Sequence, residues 1–282
     1  MNRIAVGRRA GWCVGVMIAV VVVATQTTVS AKDPLGRLWN AVQRVSIDEI
    51  DHTALDKLLK KHVDKDGYVD YRTWYASKAD RQALRAYLSL LSRANPSAEA
   101  GREARLAFWI NAYNAVTLEG IMQEYPTSSI RNHTARLFGY NIWKELPLIV
   151  GPSQYSLEHI EHQILRKMRE PRIHFAIVCA SVGCPRLRNE AYTTARLSEQ
   201  LSDNASDFFA RPQNFRVSGN TLYVSSILDW FGEDFGKSQS QRMAYLKPFL
   251  PKSVRPIATR AGARVAYLDY NWNLNDQSKK SR

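Results

Sequence analysis

The stretch "LAFWINAYNAVTLEGIM", residues 106–122, is apolar on almost every face of a helix and constrains the fold more than any other segment. A helix without a polar face has to run through the middle of a domain, with other elements on all sides. Helical spacing extends it over 102–125, where Pro126 stops it, and marks further helices at 35–45, 54–63 and 81–94. Strand signals come later in the chain. "RIHFAIV" (172–178) reads as a short buried strand, "NFRVSGNTLYVS" as a hairpin turning at Gly219-Asn220, and 263–274 as an alternating strand. Helices first and mixed elements afterwards predict an α+β single domain, its helical N-terminal half packed on a small mixed or antiparallel sheet.

The N-terminus reads as a targeting segment. Arg3, Arg8 and Arg9 precede an apolar run from Gly11 to Ala24, and Val29-Ser30-Ala31 supplies the small residues that a signal peptidase accepts. Residues 1–31 are thus expected to be a signal peptide, which makes the protein periplasmic or secreted. The alternative, a retained N-terminal membrane anchor, has an apolar run shorter than the roughly 20 residues that span a bilayer. Residues 32–49 then form an N-terminal extension, 50–276 the domain and 277–282 a polar tail.

Without that leader the chain keeps 36 basic and 26 acidic residues, a balance of +10. No basic run is interleaved with aromatic residues, so nucleic acid is not an expected partner. For an exported chain, anionic cell-surface material is the nearer one, and the charge also serves solubility. Loss of the leader removes Cys13 and leaves Cys179 and Cys184 in an oxidising compartment, where a pair tends to close.

Several polar residues stand where apolar ones belong. In "SLEHIEHQILRKM" Ser156 is an N-cap, and Glu161 falls within the arc of Leu157, Ile160, Ile164, Leu165 and Met168. An inward carboxylate has either a structural ion pair, here with Arg172 or Arg131, or a pKa shifted for use. Asn111 and Asn114 share one face of the apolar helix, where they bind neighbouring backbone, a ligand or an oxyanion. Cys184 follows the predicted strand in a loop. It is either a nucleophile with His174 as the candidate base, or one end of a Cys179–Cys184 disulfide. Asp269 or Asn271 could orient an imidazole. His159 and His162 have metal-ligand spacing, but no third ligand is marked, so neither a metal nor a cofactor is expected. "VDKDGYVDY" (63–71) has only part of a calcium loop, with Asp64, Asp66 and Gly67 in place and no glutamate at the twelfth position.

Taken together, "GYVDY", "LAFWINAYNAVTL", "YSLEHIEHQILR", "PRIHFAIVCASVGCPRL", "LDWFGEDFG" and "LDYNWNLND" resemble the domain-of-unknown-function 547 family over about Ile50 to Asp276. Tyr68 and Asn271 depart from the family pattern. The resemblance implies that Asn111, Asn114, Glu161, His174, Cys184, Asp234 and Trp272 are the positions to watch.

Two readings follow. In the first, a thiol-dependent hydrolase or transferase acts on an acyl or peptide-like bond: Cys184 attacks, His174 takes the proton, Glu161 orients or shares it, and Asn111 holds the oxyanion. In the second, a non-catalytic domain with a bridged Cys179–Cys184 pair binds a small polar ligand through Asn114, Asp234, Trp272 and their neighbours. A metal site from Glu161, His162 and His174 ranks behind both.

Overall fold

The computed structural model describes residues 32–134, 140–258, 260 and 262–280. Residues 1–31, where the signal peptide is expected and Cys13 falls, lie outside the described residues, as do the last two residues of the tail.

Helix α3 (Lys78–Leu91) packs on the central α4 (Arg102–Glu124), and α1 (Thr53–His62) and α2 (Tyr71–Ala76) pack on α3. The apolar sequence of α4 is buried almost throughout, from Ala104 to Met122 apart from Arg105. Gly120 lets a neighbour come close, since a Cβ there would lie 2.4 Å from Ile142 Cδ1. A glycine inside a helix costs about 0.5–1 kcal/mol relative to alanine, a cost set here against that close approach. The helix ends just before a cis Tyr125–Pro126 bond.

Strands are short. β1 (Val45–Ser46) pairs in parallel with β2 (Ala94–Asn95), and β3 (Leu148–Val150) antiparallel with β4 (Ser153–Tyr155). In the largest sheet β5 (Phe215–Ser218) pairs antiparallel with β6 (Thr221–Ser225), which pairs in parallel with β7 (Arg264–Leu268). The fold is α+β with a mixed sheet, and the hairpin turns at Gly219-Asn220 as its sequence predicts.

Three predicted elements differ, one of them the strand read at 263–274, which covers only Arg264–Leu268. Residues 35–45 do not form a long helix but an extended segment with one 3-10 turn at Ala41–Gln43. Leu35 makes backbone bonds with Pro147 and Ile149 and enters the core, whereas Leu38 and Val42 stay exposed. Residues 172–178 are not a strand. Glu170 caps a 3-10 turn at Pro171–Phe175, and Asn114 binds the next backbone, donating to Ala176 O and accepting from Val178 N, each at 3.0 Å. The segment's backbone groups are thus satisfied by a turn and an amide side chain rather than by a neighbouring strand.

The core forms two apolar clusters, one around α4 and one around helix Leu197–Ala210 and the mixed sheet. Among the described residues no helix is long and apolar enough to cross a membrane.

Candidate functional site

A cleft enclosing about 620 Å³, mouth included, opens where the two clusters meet. Both cysteines, Glu161 and His174 line it, amid aromatic walls that include Trp143, Trp230, Phe231 and Trp272.

The cysteine loop is built on the C-terminal segment. Asn275 N–H donates to Ala180 O at 3.0 Å, and Val182 and Gly183 donate to Asn273 O and Asn271 O at 2.8 Å. Gly183 is required by this contact, since a Cβ there would stand 2.9 Å from Asn271 N. Ala180, between Cys179 and Ser181, has φ +58°, a left-handed conformation that costs a non-glycine residue roughly 1–2 kcal/mol. Such outliers cluster at sites that the surrounding structure over-determines. Tyr270, on the same C-terminal run, reaches back into the loop.

Donors converge on Cys184 Sγ: Cys179 N–H at 3.0 Å, Tyr270 hydroxyl at 3.1 Å, Ser181 hydroxyl at 3.5 Å and the Cys179 thiol at 2.6 Å. Ser181 has a single hydroxyl proton, and its shorter contact is to Tyr270 Oη at 3.0 Å, so it serves Cys184 either directly or through Tyr270. The two sulfurs stand 2.6 Å apart without a disulfide between them in this structure. Burial would push the Cys184 thiol up, but the Cys179 thiol, the two hydroxyls and the Cys179 N–H outweigh it and bring it below the ordinary thiol range. The same contact to Cys184, with burial, holds Cys179 well above the ordinary thiol range. Ser181 and Tyr270 also approach Cys179 Sγ, at 3.1 and 3.3 Å, so the contact that distinguishes Cys184 is the Cys179 N–H, which makes Cys184 the better placed sulfur to carry the charge.

Glu161 lies on a π-helical turn, Ile160–Leu165, flanked by Leu157–His159 and Arg166–Met168. Its carboxylate pairs with neither expected arginine, because Arg172 binds Glu170 and Arg131 sits over the Trp272 ring. It accepts a 3.2 Å hydrogen bond from the Tyr113 hydroxyl instead. Burial pushes it up to about 7, against the pull of Tyr113 and Arg166.

His174 stacks on Phe231 with centroids 4.2 Å apart and donates through Nε2 to Asp234 Oδ2 at 2.7 Å. Burial lowers its pKa against Asp234, so the neutral ring carries its proton on Nε2. Arg166 grips the same carboxylate at 2.6 and 2.8 Å. Burial of Asp234 is outweighed by these two partners, which hold it below the usual carboxylate range. Among the described residues no hydrogen bond joins His174 to either cysteine.

The structure thus brings Cys184, Glu161, His174 and Trp272 to one cleft and places Asp234 behind His174. The orienting acid is Asp234, not Asp269 or Asn271; Asn271 accepts from Asn273 N–H. Asn111 and Asn114 do not line the cleft. Asn111 binds the Tyr192 backbone through both amide atoms, at 2.8 and 2.9 Å, which removes it from the oxyanion role, and Asn114 fixes residues 176–178 rather than a ligand. Ser181, Tyr270 and Tyr113 carry functional contacts that the sequence did not flag.

Residues 97–209 match the family model described as "Protein of unknown function, DUF547". That segment is a DUF547 region. No curated protein and no solved structure matches it. The DUF547 match includes Tyr113, Glu161, His174 and both cysteines, whereas Trp230, Phe231, Asp234, Tyr270 and Trp272 come from beyond it. Some of the remaining DUF547-like motifs are structural. "GYVDY" and "LDYNWNLND" meet where Tyr71 donates to Asn275 Oδ1 at 2.9 Å and Val69 N–H to Asn275 O at 2.9 Å. Asp64 and Asp66 hold Lys280 Nζ at 2.7 and 2.6 Å, a cation supplied by the chain itself. Among the described residues no group of three or more His, Cys, Asp or Glu could hold a metal ion.

Proposed function

We propose that this DUF547 protein is an exported thiol-dependent transferase or hydrolase acting on an acyl or peptide-like bond, with Cys184 as its nucleophile. The observation that carries the reading is the convergence of donors on Cys184 Sγ, which supports a thiolate near neutral pH without a base in contact. Glu161, titrating near 7, then serves the leaving group as acid and the incoming nucleophile as base. His174 is a positioning residue in this reading: held by Asp234 and Phe231, it closes one wall of the cleft. The export follows from the leader read in residues 1–31, and its test is the N-terminal residue of protein recovered from the producing cell.

The test of the chemistry is acylation by p-nitrophenyl acetate, followed by intact mass and peptide mapping. One acetyl group on Cys184, absent from Cys184→Ser, supports the proposal. Equal labelling of that variant, with the acetyl groups on lysines, overturns it. A ligand-binding pocket with a bridged pair is the second reading, favoured by the adjacency of the sulfurs. It predicts no free thiol in the exported protein before reduction.

A further inference from the structure

Around Cys184 the backbone is already engaged: Cys179 N–H binds Cys184 Sγ, Val182 and Gly183 bind the C-terminal segment, and Cys184 N–H binds Ser181 O at 3.1 Å. Next to this thiolate stands a second thiol, 2.6 Å from its sulfur and facing the same cleft. Nothing in acyl transfer uses Cys179 as a nucleophile, whereas attack on a disulfide needs no oxyanion hole and does need a second thiol to complete the exchange.

We propose that Cys179 and Cys184 form a thiol–disulfide exchange centre, Cys184 attacking and Cys179 resolving, whose substrate is a disulfide with a flat, apolar flank. The proposal rests on the nucleophilic Cys184 of the preceding reading and adds a second activity to it. Cys184 Sγ attacks one sulfur of the substrate, forming a mixed disulfide and expelling the first substrate thiolate. The Cys179 sulfur then attacks Cys184 Sγ. The Cys179–Cys184 bond forms, the bond to the substrate breaks, and the Cys179 proton leaves with the second substrate sulfur. The dithiol is oxidised by two electrons, and the substrate disulfide is reduced to one thiolate and one thiol.

The remaining contacts suit this order of events. Donors that hold Cys184 as the thiolate favour it as the attacker, and the raised pKa of Cys179 keeps that thiol protonated until its partner's charge is lost in the mixed disulfide. Trp230 and Trp272, stacked 5.8 Å apart at 26°, and Tyr270 against both offer flat apolar surface to the flank of the substrate.

The experiment uses 5,5′-dithiobis(2-nitrobenzoate), an aryl disulfide, on the reduced full chain carrying Cys13→Ser so that only the pair reacts. The expected result is release of two equivalents of nitrothiobenzoate per chain, no retained adduct, and a Cys179–Cys184 linkage in the peptide map. Adding Cys179→Ser should give one equivalent and a stable adduct on Cys184. Release of one equivalent with a stable Cys184 adduct in the chain that keeps Cys179 overturns the exchange proposal while leaving Cys184 a nucleophile. Failure of Cys184 to react in folded protein, with both thiols appearing on denaturation, overturns this proposal and the nucleophile together.

Discussion

The Tyr270 hydroxyl donates to Cys184 Sγ at 3.1 Å across 86 residues of sequence. It is itself an acceptor for Ser181, so a short relay of hydroxyls ends on the thiolate. A hydrogen bond to a charged group contributes about 1.5–3 kcal/mol. Tyr270→Phe should therefore move the half-point of Cys184 alkylation up by roughly one to two pH units. A profile unchanged by the substitution would remove Tyr270 from the account.

Glu161 titrates in the fold near 7 against an ordinary 4.5. Since the folded value is raised, its favourable contribution to stability is fully present below about 4.5 and is lost as pH rises through 7. Glu161→Gln does not titrate. Its stability relative to the parent should rise between pH 5 and 8 by roughly 1–2 kcal/mol, after allowance for the carboxylate's partial exposure. Urea midpoints at those two pH values measure this, and a constant difference would mean an ordinary carboxylate.

Asp234 works in the opposite direction. Its pKa is depressed by His174 and Arg166, so the stabilisation is present above the ordinary aspartate range and is lost as pH falls through the folded value. Asp234→Asn should cost roughly 1–3 kcal/mol at neutral pH, and the deficit should shrink in acid as the parent protonates. Thermal unfolding from pH 7 downwards follows the two chains toward each other.

Asn111→Ala and Asn114→Ala test the architectural role of these amides. Each leaves buried backbone groups unpaired, which costs about 1–3 kcal/mol. The alkylation profile of Cys184 should stay where it is in Asn111→Ala, because its partner segment around Tyr192 lies outside the cleft. A large loss of thiol reactivity in folded Asn111→Ala would restore its oxyanion role.

How much of this was legible in the sequence depended on whether a residue's neighbours were local. The central helix was, because a segment apolar all round has one solution. Glu161 was visible as a carboxylate inside an apolar arc. Residues 172–178 were not, since a short apolar run rich in β-branched residues reads alike as a strand or a turn, and the decisive partner, Asn114, lies on another element. The pairing of His174 with Asp234 spans 60 residues and leaves no local pattern. Tyr270 was concealed by its own alternation: it falls on the core face of a predicted strand, whereas the strand ends at Leu268 and the Tyr270 hydroxyl meets the cysteines.

The most direct test of the central claim is the rate of iodoacetamide modification of Cys184 in the reduced protein between pH 4 and 10, read by peptide mapping. The account predicts a half-point well below the ordinary thiol value, with Cys179 unmodified across the neutral range. A half-point near the ordinary thiol value of 9, or faster modification of Cys179 than of Cys184, would contradict it.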